Sequence, residues 1–278
     1  MTRTIRIPFL QVDAFTKEPF KGNPAAVCPL DAWLPDPVLQ AIARENNLSE
    51  TAFFVPSDED DADFCLRWFT PMTEVDLCGH ATLASGHAIL SNLRDKGEAV
   101  RFSSQAGILI VTKDGDRLSM DLPARRPRAL EALPDTNGEA GAKEAFGAVP
   151  SAYFSGGRDI LALFEDAQQV RALKPDFTAL KSFGKRGFIA TAPGAGDCDF
   201  VSRCFFPAFG VEEDPVTGSA HCVSAPFWAD RLGKSELFAR QISQRGGELW
   251  LSVAEDRVHI SGHCVEVIAG EMSVPESL

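Results

Sequence analysis

Apolar and polar positions fall into short runs along this chain, and most runs predict an element. Residues 5–15 read as a strand, followed by a Pro-, Gly- and Asn-containing turn at 19–24 and a short strand at 25–28. Asp36 and Pro37 open a helix, because Asp can cap it and Pro suits the first helical position. Val38, Leu39 and Ile42 give that helix an apolar face, and it ends near Asn46 and Asn47. Residues 51–55 and 64–69 read as strands around an exposed acidic run at 58–63. A second helix starts after Gly79 and reaches about Leu93. Phe102, 108–112 and 117–122 fall in strands, with Lys113-Asp114-Gly115-Asp116 as a hairpin signal.

From 123 to 147 the chain becomes rich in Pro, Arg, Gly and Ala, with room for a short helix at the end, which places a domain boundary there. Strands follow at 159–164, 187–192 and 199–206. Residues 219–232 read as a helix despite Pro226, which removes one backbone bond. A last hairpin pairs 248–253 with 258–268. Strands and helices mix without a regular βαβ rhythm, so the fold class is α+β and not a doubly wound sheet. The expected domains are 1–122 and 123–264, with 265–278 free to pair with the first.

The two halves match each other. Arg67-Trp-Phe-Thr-Pro71 precedes Cys78-Gly-His-Ala81, and Arg203-Cys-Phe-Phe-Pro207 precedes Thr217-Gly-Ser-Ala220. Each reads Arg-x-Phe-x-Pro, then a polar acidic loop, then a glycine opening a helix. One duplicated strand–loop–helix unit in each half predicts two related domains. A glycine at a helix start lets backbone approach a ligand, and the first turn leaves N–H groups and partial positive charge free. Two such starts facing one cleft would suit a small carboxylate. Taken singly, Gly79 and Gly218 could equally be tight turns; their repetition in matched contexts favours the functional reading.

Composition narrows the classes. The chain has 278 residues, 45% hydrophobic and 24% charged, which is ordinary globular usage. No apolar run reaches the ~18–20 residues that a membrane span needs, and the N-terminus lacks a signal-peptide core. The formal net charge is −12, so nucleic-acid and acidic-membrane partners are not expected. Arg125, Arg126 and Arg128, broken by Pro127, read as a solvated linker. Seven scattered cysteines without a C-x-x-C argue for a reduced, cytoplasmic compartment and against a structural zinc site. Cys198, Cys204 and Cys264 read as small buried hydrophobes in strand-like surroundings. No P-loop, dinucleotide fingerprint or nucleophile elbow is present.

The blocks Val12-Asp-Ala-Phe15, Gly22-Asn-Pro-Ala-Ala-Val27, Glu45-Asn-Asn-Leu-Ser-Glu50, Phe69-Thr-Pro-Met-Thr-Glu-Val-Asp-Leu-Cys-Gly-His-Ala81, Glu213-Asp-Pro-Val-Thr-Gly-Ser-Ala220 and Ser243-Gln-Arg-Gly-Gly-Glu248 span nearly the whole chain in order. Together they resemble the PhzF family of phenazine-biosynthesis-like isomerases. The resemblance implies a diaminopimelate-epimerase-like fold: two pseudo-symmetric domains, each a mixed sheet curled into a barrel around a central helix, with the active site between them. It also implies a homodimer and a cofactor-independent proton shift on a small carboxylate-bearing metabolite, with no metal. In the phenazine-pathway member the substrate is a dihydro-hydroxyanthranilate.

Matched residue by residue, the family's catalytic Glu, His, Asp and Ser fall on Glu50, His80, Asp214 and Ser219. Among the apolar residues around it, Glu50 would be partly desolvated, as a general acid/base needs; without the resemblance it reads as a surface charge. His80, at a helix start, would stay neutral, or serve as a capping or packing residue. Asp214 would orient His80 or carry a proton, where an ordinary loop Asp is the plainer reading. Ser219 would donate a hydrogen bond or cap its helix. Asn23, Gly79, Thr217 and Gly218 are candidate substrate binders. Epimerases of this fold use two thiols, one at the start of each central helix, but here the first half has Cys78 and the second has Thr217. Cys78 is therefore read as lining of the substrate site, with a cysteine-dependent epimerase and a non-catalytic binding protein as the alternatives.

Overall fold

A computed structural model describes residues 3–93, 97–133 and 139–277; residues 134–138 of the expected linker lie outside them. Up to Pro123 the chain forms β1 (Thr4–Ala14), β2 (Asn23–Pro29), α1 (Asp36–Asn46), β3 (Glu50–Pro56), β4 (Phe64–Phe69), β5 (Glu74–Val75), α2 (Gly79–Ala88), β6 (Ala99–Ser104), β7 (Gly107–Asp114) and β8 (Arg117–Pro123). It continues with β9 (Arg128–Leu130), α3 (Glu139–Phe146), β10 (Ala152–Gly156), β11 (Asp159–Leu163), α4 (Ala167–Ala172), α5 (Phe177–Ser182), β12 (Phe188–Pro193) and β13 (Phe200–Phe206). The last elements are β14 (Val211–Asp214), α6 (Gly218–Leu232), β15 (Glu236–Gln241), β16 (Gly247–Ala254), β17 (Arg257–Gly262) and β18 (Cys264–Pro275). Two units emerge: Met1–Asp121 with Ser261–Leu278, and Leu122–Ile260.

Both units use one pairing scheme. In the first, β2 runs parallel to β3, β3 antiparallel to β4, β4 antiparallel to β5 and parallel to β6, and β6 antiparallel to β7. In the second, β11, β12, β13, β14, β15 and β16 repeat those relations in the same order. The repeat seen in two sequence motifs therefore extends to a whole topology. In the first unit, β1 joins β2 to β18, with Thr4 opposite Pro275 and Leu10 opposite Val27.

Each sheet packs on a helix buried nearly all round. Helix α2 lies against β1, β2, β3, β7 and β18, and its buried residues run from His80 through Gly86 and include Ala88. A helix buried on every side cannot be amphipathic, and α2 is accordingly small and apolar. Gly86 allows the closest approach: a Cβ there would lie 2.5 Å from Val111 Cγ1 and 2.8 Å from its Cβ. Helix α6 contacts β11, β12, β15 and β16. Its Trp228 stacks on Phe200 at 5.7 Å and donates Nε1–H to Thr191 Oγ1 at 2.9 Å, so the indole is buried with its polar atom satisfied. Pro226 frees the Cys222 carbonyl four residues earlier, and the Arg125 amide donates to that carbonyl at 2.8 Å. The proline thus supplies a docking point for the segment after β8.

Several expectations change. Asp36 does not cap α1: Pro35 holds the N-cap position, and Asp36 accepts from Arg67 Nη1 at 2.9 Å. The second α-helix stops at Ala88 and continues as a π-helical turn over Ile89–Leu93. The strand expected at 258–268 is broken at His263 into β17 and β18. The chain must squeeze past Phe15 there, since a Cβ on Gly262 would lie 2.4 Å from its ring, while the Thr16 amide holds the His263 carbonyl. The linker reading of the arginines fails in part, because Arg126 Nη1 donates to both carboxylate oxygens of Asp230 and Arg128 starts β9. Cys198 lies in the turn before β13, not in a strand.

Gly86→Ala is expected to destabilise the protein by up to about 2 kcal/mol net in urea unfolding, since the stiff Val111 Cβ must itself move at an overpacking cost of about 2–3 kcal/mol, the upper part of the usual range. That cost exceeds the ~1 kcal/mol which alanine gains over glycine within a helix.

Candidate active site

In the first unit, chain order scatters Asn23, Glu50, Cys78 and His80, and the sheet gathers them. Glu50 opens β3 beside Ala25 of β2, so Asn23 at the start of β2 lies two residues from Glu50's strand partner. Helix α2 then brings Cys78 to its N-cap position and His80 to its second helical residue. His80 Nδ1 sits 3.2 Å from Asn23 Nδ2 and 3.5 Å from Cys78 Sγ, while Nε2 sits 3.3 Å from Glu50 Oε2. The Nε2 contact lacks hydrogen-bond geometry, and among the described residues this buried nitrogen makes no hydrogen bond.

His80 is 4% exposed. Burial pushes its imidazole down to about 3, against a smaller upward pull from the Pro24 carbonyl. The ring is therefore neutral at ordinary pH, and the partial positive charge of the helix start acts in the same direction. The Glu50 side chain is 16% exposed, open enough to meet a small ligand yet largely out of water. One ligand atom from each of Glu50, Cys78 and His80 lies within 4.8 Å of the others.

The corresponding place in the second unit is built differently. Thr217 takes the N-cap position of α6, Gly218 the first helical residue and Ser219 the second. Neither Ser219 nor His80 is the cap, which removes the capping reading for both. The Thr217 hydroxyl donates to Asp214 Oδ2, and Gln241 ties the loop together. Its Oε1 accepts from the Thr217 amide at 2.9 Å, and its Nε2 donates to the Asp214 carbonyl at 2.7 Å. The loop that follows closes on the same segment, with Ser243 Oγ donating to the Pro215 carbonyl at 2.7 Å. Asp214 and Ser219 are both part-buried.

Strand register shows what the second unit has exchanged. Thr51 pairs with Phe69 and Phe188 with Phe205, and those phenylalanines are matched positions of the Arg-x-Phe-x-Pro motif. Gly187 therefore stands where the first unit has Glu50. The vacated volume is shared by an aromatic ring and another carboxyl: a Cβ on Gly187 would lie 2.3 Å from Phe206 Cε1 and 2.5 Å from Asp159 Oδ1. Asp159 is fully buried, and its Oδ2 has no hydrogen bond among the described residues. The sequence reading passed over both Asp159 and Gln241. Gly156-Gly-Arg-Asp159 reads as a plain hairpin tip, and a lone Gln in a strand carries no signal.

Four of the other thiols sit in surroundings that disfavour their charged form. Burial pushes Cys28, Cys222 and Cys264 up to about 12. Cys204 is raised well above its ordinary value by burial, with Asp214 and Asp159 among the charges adding to the shift. Thiols raised this far stay protonated and unreactive at ordinary pH.

This arrangement of repeated α+β units, each with a mixed sheet and a buried helix, defines a diaminopimelate-epimerase-like fold. A hydroxyproline epimerase from Agrobacterium vitis shares the fold at a TM-score of 0.60 and 11% identity, covering 98% of this chain and 94% of that one. A crystal structure of a PhzF-family protein from Enterococcus faecalis matches at a TM-score of 0.89 and 44% identity, covering 96% of this chain and 99% of that one. A Pseudomonas aeruginosa protein described as an uncharacterized isomerase is 49% identical over 96% of this chain and 99% of its own length. The family model for phenazine biosynthesis-like proteins (PhzC-PhzF) matches residues 12–270. The chain belongs to the PhzF family and is an isomerase. No described helix is long and apolar enough to cross a membrane.

The α6 histidine supplies a pH prediction. His221 is fully buried and bonds the Thr217 carbonyl through Nδ1 at 2.7 Å, and burial lowers it from 6.5 to about 4. Between those values the unfolded chain binds a proton that the folded chain refuses, so stability is greatest above pH 6.5 and falls toward pH 4. Urea unfolding across that range should show the loss, with a slope approaching ~1.4 kcal/mol per pH unit from this group. His221→Gln should lose part of that slope.

Proposed function

We propose that this isomerase moves a proton from one carbon to another on a small carboxylate-bearing metabolite, without a cofactor, with Glu50 as the general acid/base. The observation that supports it most is the largely buried Glu50 carboxyl beside the neutral His80 ring at the N-terminus of α2. Glu50 removes a proton from carbon activated by a neighbouring carboxylate or double bond. The electron pair left behind spreads through that conjugated system, and the amide-rich helix start favours the resulting anion. Glu50 then returns the proton to a different carbon, so the double bond shifts and no electrons are gained or lost. His80 stays neutral and exchanges a hydrogen bond with the substrate, while Asn23 and Gly79 serve binding. Asp214 and Ser219, matched to the family's other catalytic positions, are assigned to the same reaction, with Thr217 and Gly218 as binding groups. The homodimer that the family resemblance implies and the cytoplasmic compartment that the cysteine pattern suggests belong to the same reading.

The test follows a panel of cyclic and aromatic carboxylic acids by proton NMR in deuterated water, scoring shifted double bonds or deuterium at carbon. Glu50→Gln should lower turnover by roughly 10²–10⁴-fold with unchanged folding by circular dichroism. Full activity in that variant removes Glu50 from the mechanism. Asp214→Asn should also lower turnover, whereas Asp58→Asn, a change in the exposed run at 58–63, should not.

A second reading has one observation behind it, the 3.5 Å approach of Cys78 Sγ to His80 Nδ1. A thiol so placed could be a base for epimerisation. The repeat has Thr217 where a second thiol would stand, so the isomerase reading predicts that Cys78→Ser keeps most activity. Loss of activity in Cys78→Ser, together with inactivation by alkylation, would establish the epimerase instead.

A further inference from the structure

Three lone-pair donors of different chemistry meet at the start of α2, and this is also the donor set of a transition-metal site. We propose that Glu50, Cys78 and His80 form a site for a thiophilic divalent cation of the Zn²⁺ class, whose occupancy blocks the proton-transfer centre.

The spans fit such an ion. With Zn–N near 2.0 Å and Zn–O near 2.1 Å, tetrahedral ligation separates N and O by about 3.3 Å. His80 Nε2 and Glu50 Oε2 are 3.3 Å apart. Sulfur, nitrogen and oxygen in such a site lie about 3.5 Å from one another. One ligand atom each from Glu50, Cys78 and His80 lies within 4.8 Å of the others, with the Cys78 sulfur 3.5 Å from His80 Nδ1, so ligation through Nε2 requires the Cys78 side chain to turn. His80 Nε2 supports the assignment independently, because it is a buried ring nitrogen with no hydrogen bond among the described residues, 3.3 Å from Glu50 Oε2. Thiolate, imidazole and carboxylate together select zinc-like ions over magnesium or calcium. Three protein ligands leave a fourth position for water or a carboxylate.

The matched place in the second unit provides an internal contrast. There the three positions hold Thr217, Ser219 and Gly187, which offer neither sulfur nor imidazole. One cation per chain is therefore expected. A cation on the Glu50 oxygen competes with the proton that this group must carry, so occupancy and turnover exclude one another. This consequence rests on the isomerase reading; the binding itself does not.

Cobalt(II) is the probe, since a thiolate ligand gives it a charge-transfer absorption in the near ultraviolet and tetrahedral coordination gives strong visible bands. Chelator-treated full-length protein titrated with CoCl₂ should develop both, saturate at one equivalent and lose them on addition of ZnCl₂. The charge-transfer band should vanish in Cys78→Ser and in Cys78→Ala, two variants that guard against a folding defect in either one. The visible bands should weaken in Glu50→Gln. Absence of the band in wild-type protein, or its persistence in both Cys78 variants, overturns the site. If cobalt binds as described while Glu50→Gln remains fully active in the NMR assay, the cation site stands and the proposed reaction falls. The converse result removes the cation and leaves the reaction.

Discussion

The architecture depends on a clasp made twice. Arg67 donates Nε and Nη2 to the two oxygens of Glu74 at 2.7 and 2.8 Å, and Arg203 does the same to Glu213 at 2.7 and 2.8 Å. In each unit the arginine lies on the strand that leads into the loop, and the glutamate lies on the short returning strand just before the central helix. A planar fork gripping a carboxylate fixes direction as well as distance, so the clasp sets where the helix begins. Arg203 adds bonds to the Val170 and Leu173 carbonyls at the end of α4. Arg67 adds Asp36. The two Arg–Glu pairs themselves are only partly exposed and doubly hydrogen-bonded, which distinguishes them from surface pairs of little worth.

Once the helix start is fixed, its chemistry is free to diverge. Below the glycine, both helices keep the same internal device: Thr82 and His221 each bond the carbonyl four residues back, at Cys78 and Thr217, and Ser85 and Ser224 do so at Ala81 and Ala220. Above it, the first unit carries sulfur, imidazole and a carboxyl, whereas the second carries hydroxyls, an amide network and a carboxyl on another strand. Duplication preserved the scaffold and separated the functional groups. The overall charge of −12 has no bearing on this, because local amides and burial decide the field at a helix tip.

Some of this was readable in the chain. The two Arg-x-Phe-x-Pro motifs, the glycine-started helices and the hairpin at Lys113–Asp116 are local patterns, and local patterns survive folding. The blocks shared with the PhzF family were readable for the same reason, and with them the candidate site residues. Short elements were harder. Helices α4 and α5 have six residues each, too few for a periodic signal, although Asp166 and Asp176 do cap them. The returning strands β5 and β14 looked like acidic loop because their pairing partners lie on another strand.

By itself, then, the sequence determined the repeat, the fold class and the candidate groups, since each depends on residue type at short spacing. Tertiary structure alone decided which of those groups meet. Glu50 comes within reach of His80 because a parallel pairing aligns β2 with β3, a contact between residues 30 apart that no periodicity encodes. It also decided that Asp159 and Phe206 together fill the place left by Gly187, because a side chain's volume can be taken over from a neighbouring strand. That exchange leaves no trace along the chain, for it exists only where two strands lie side by side.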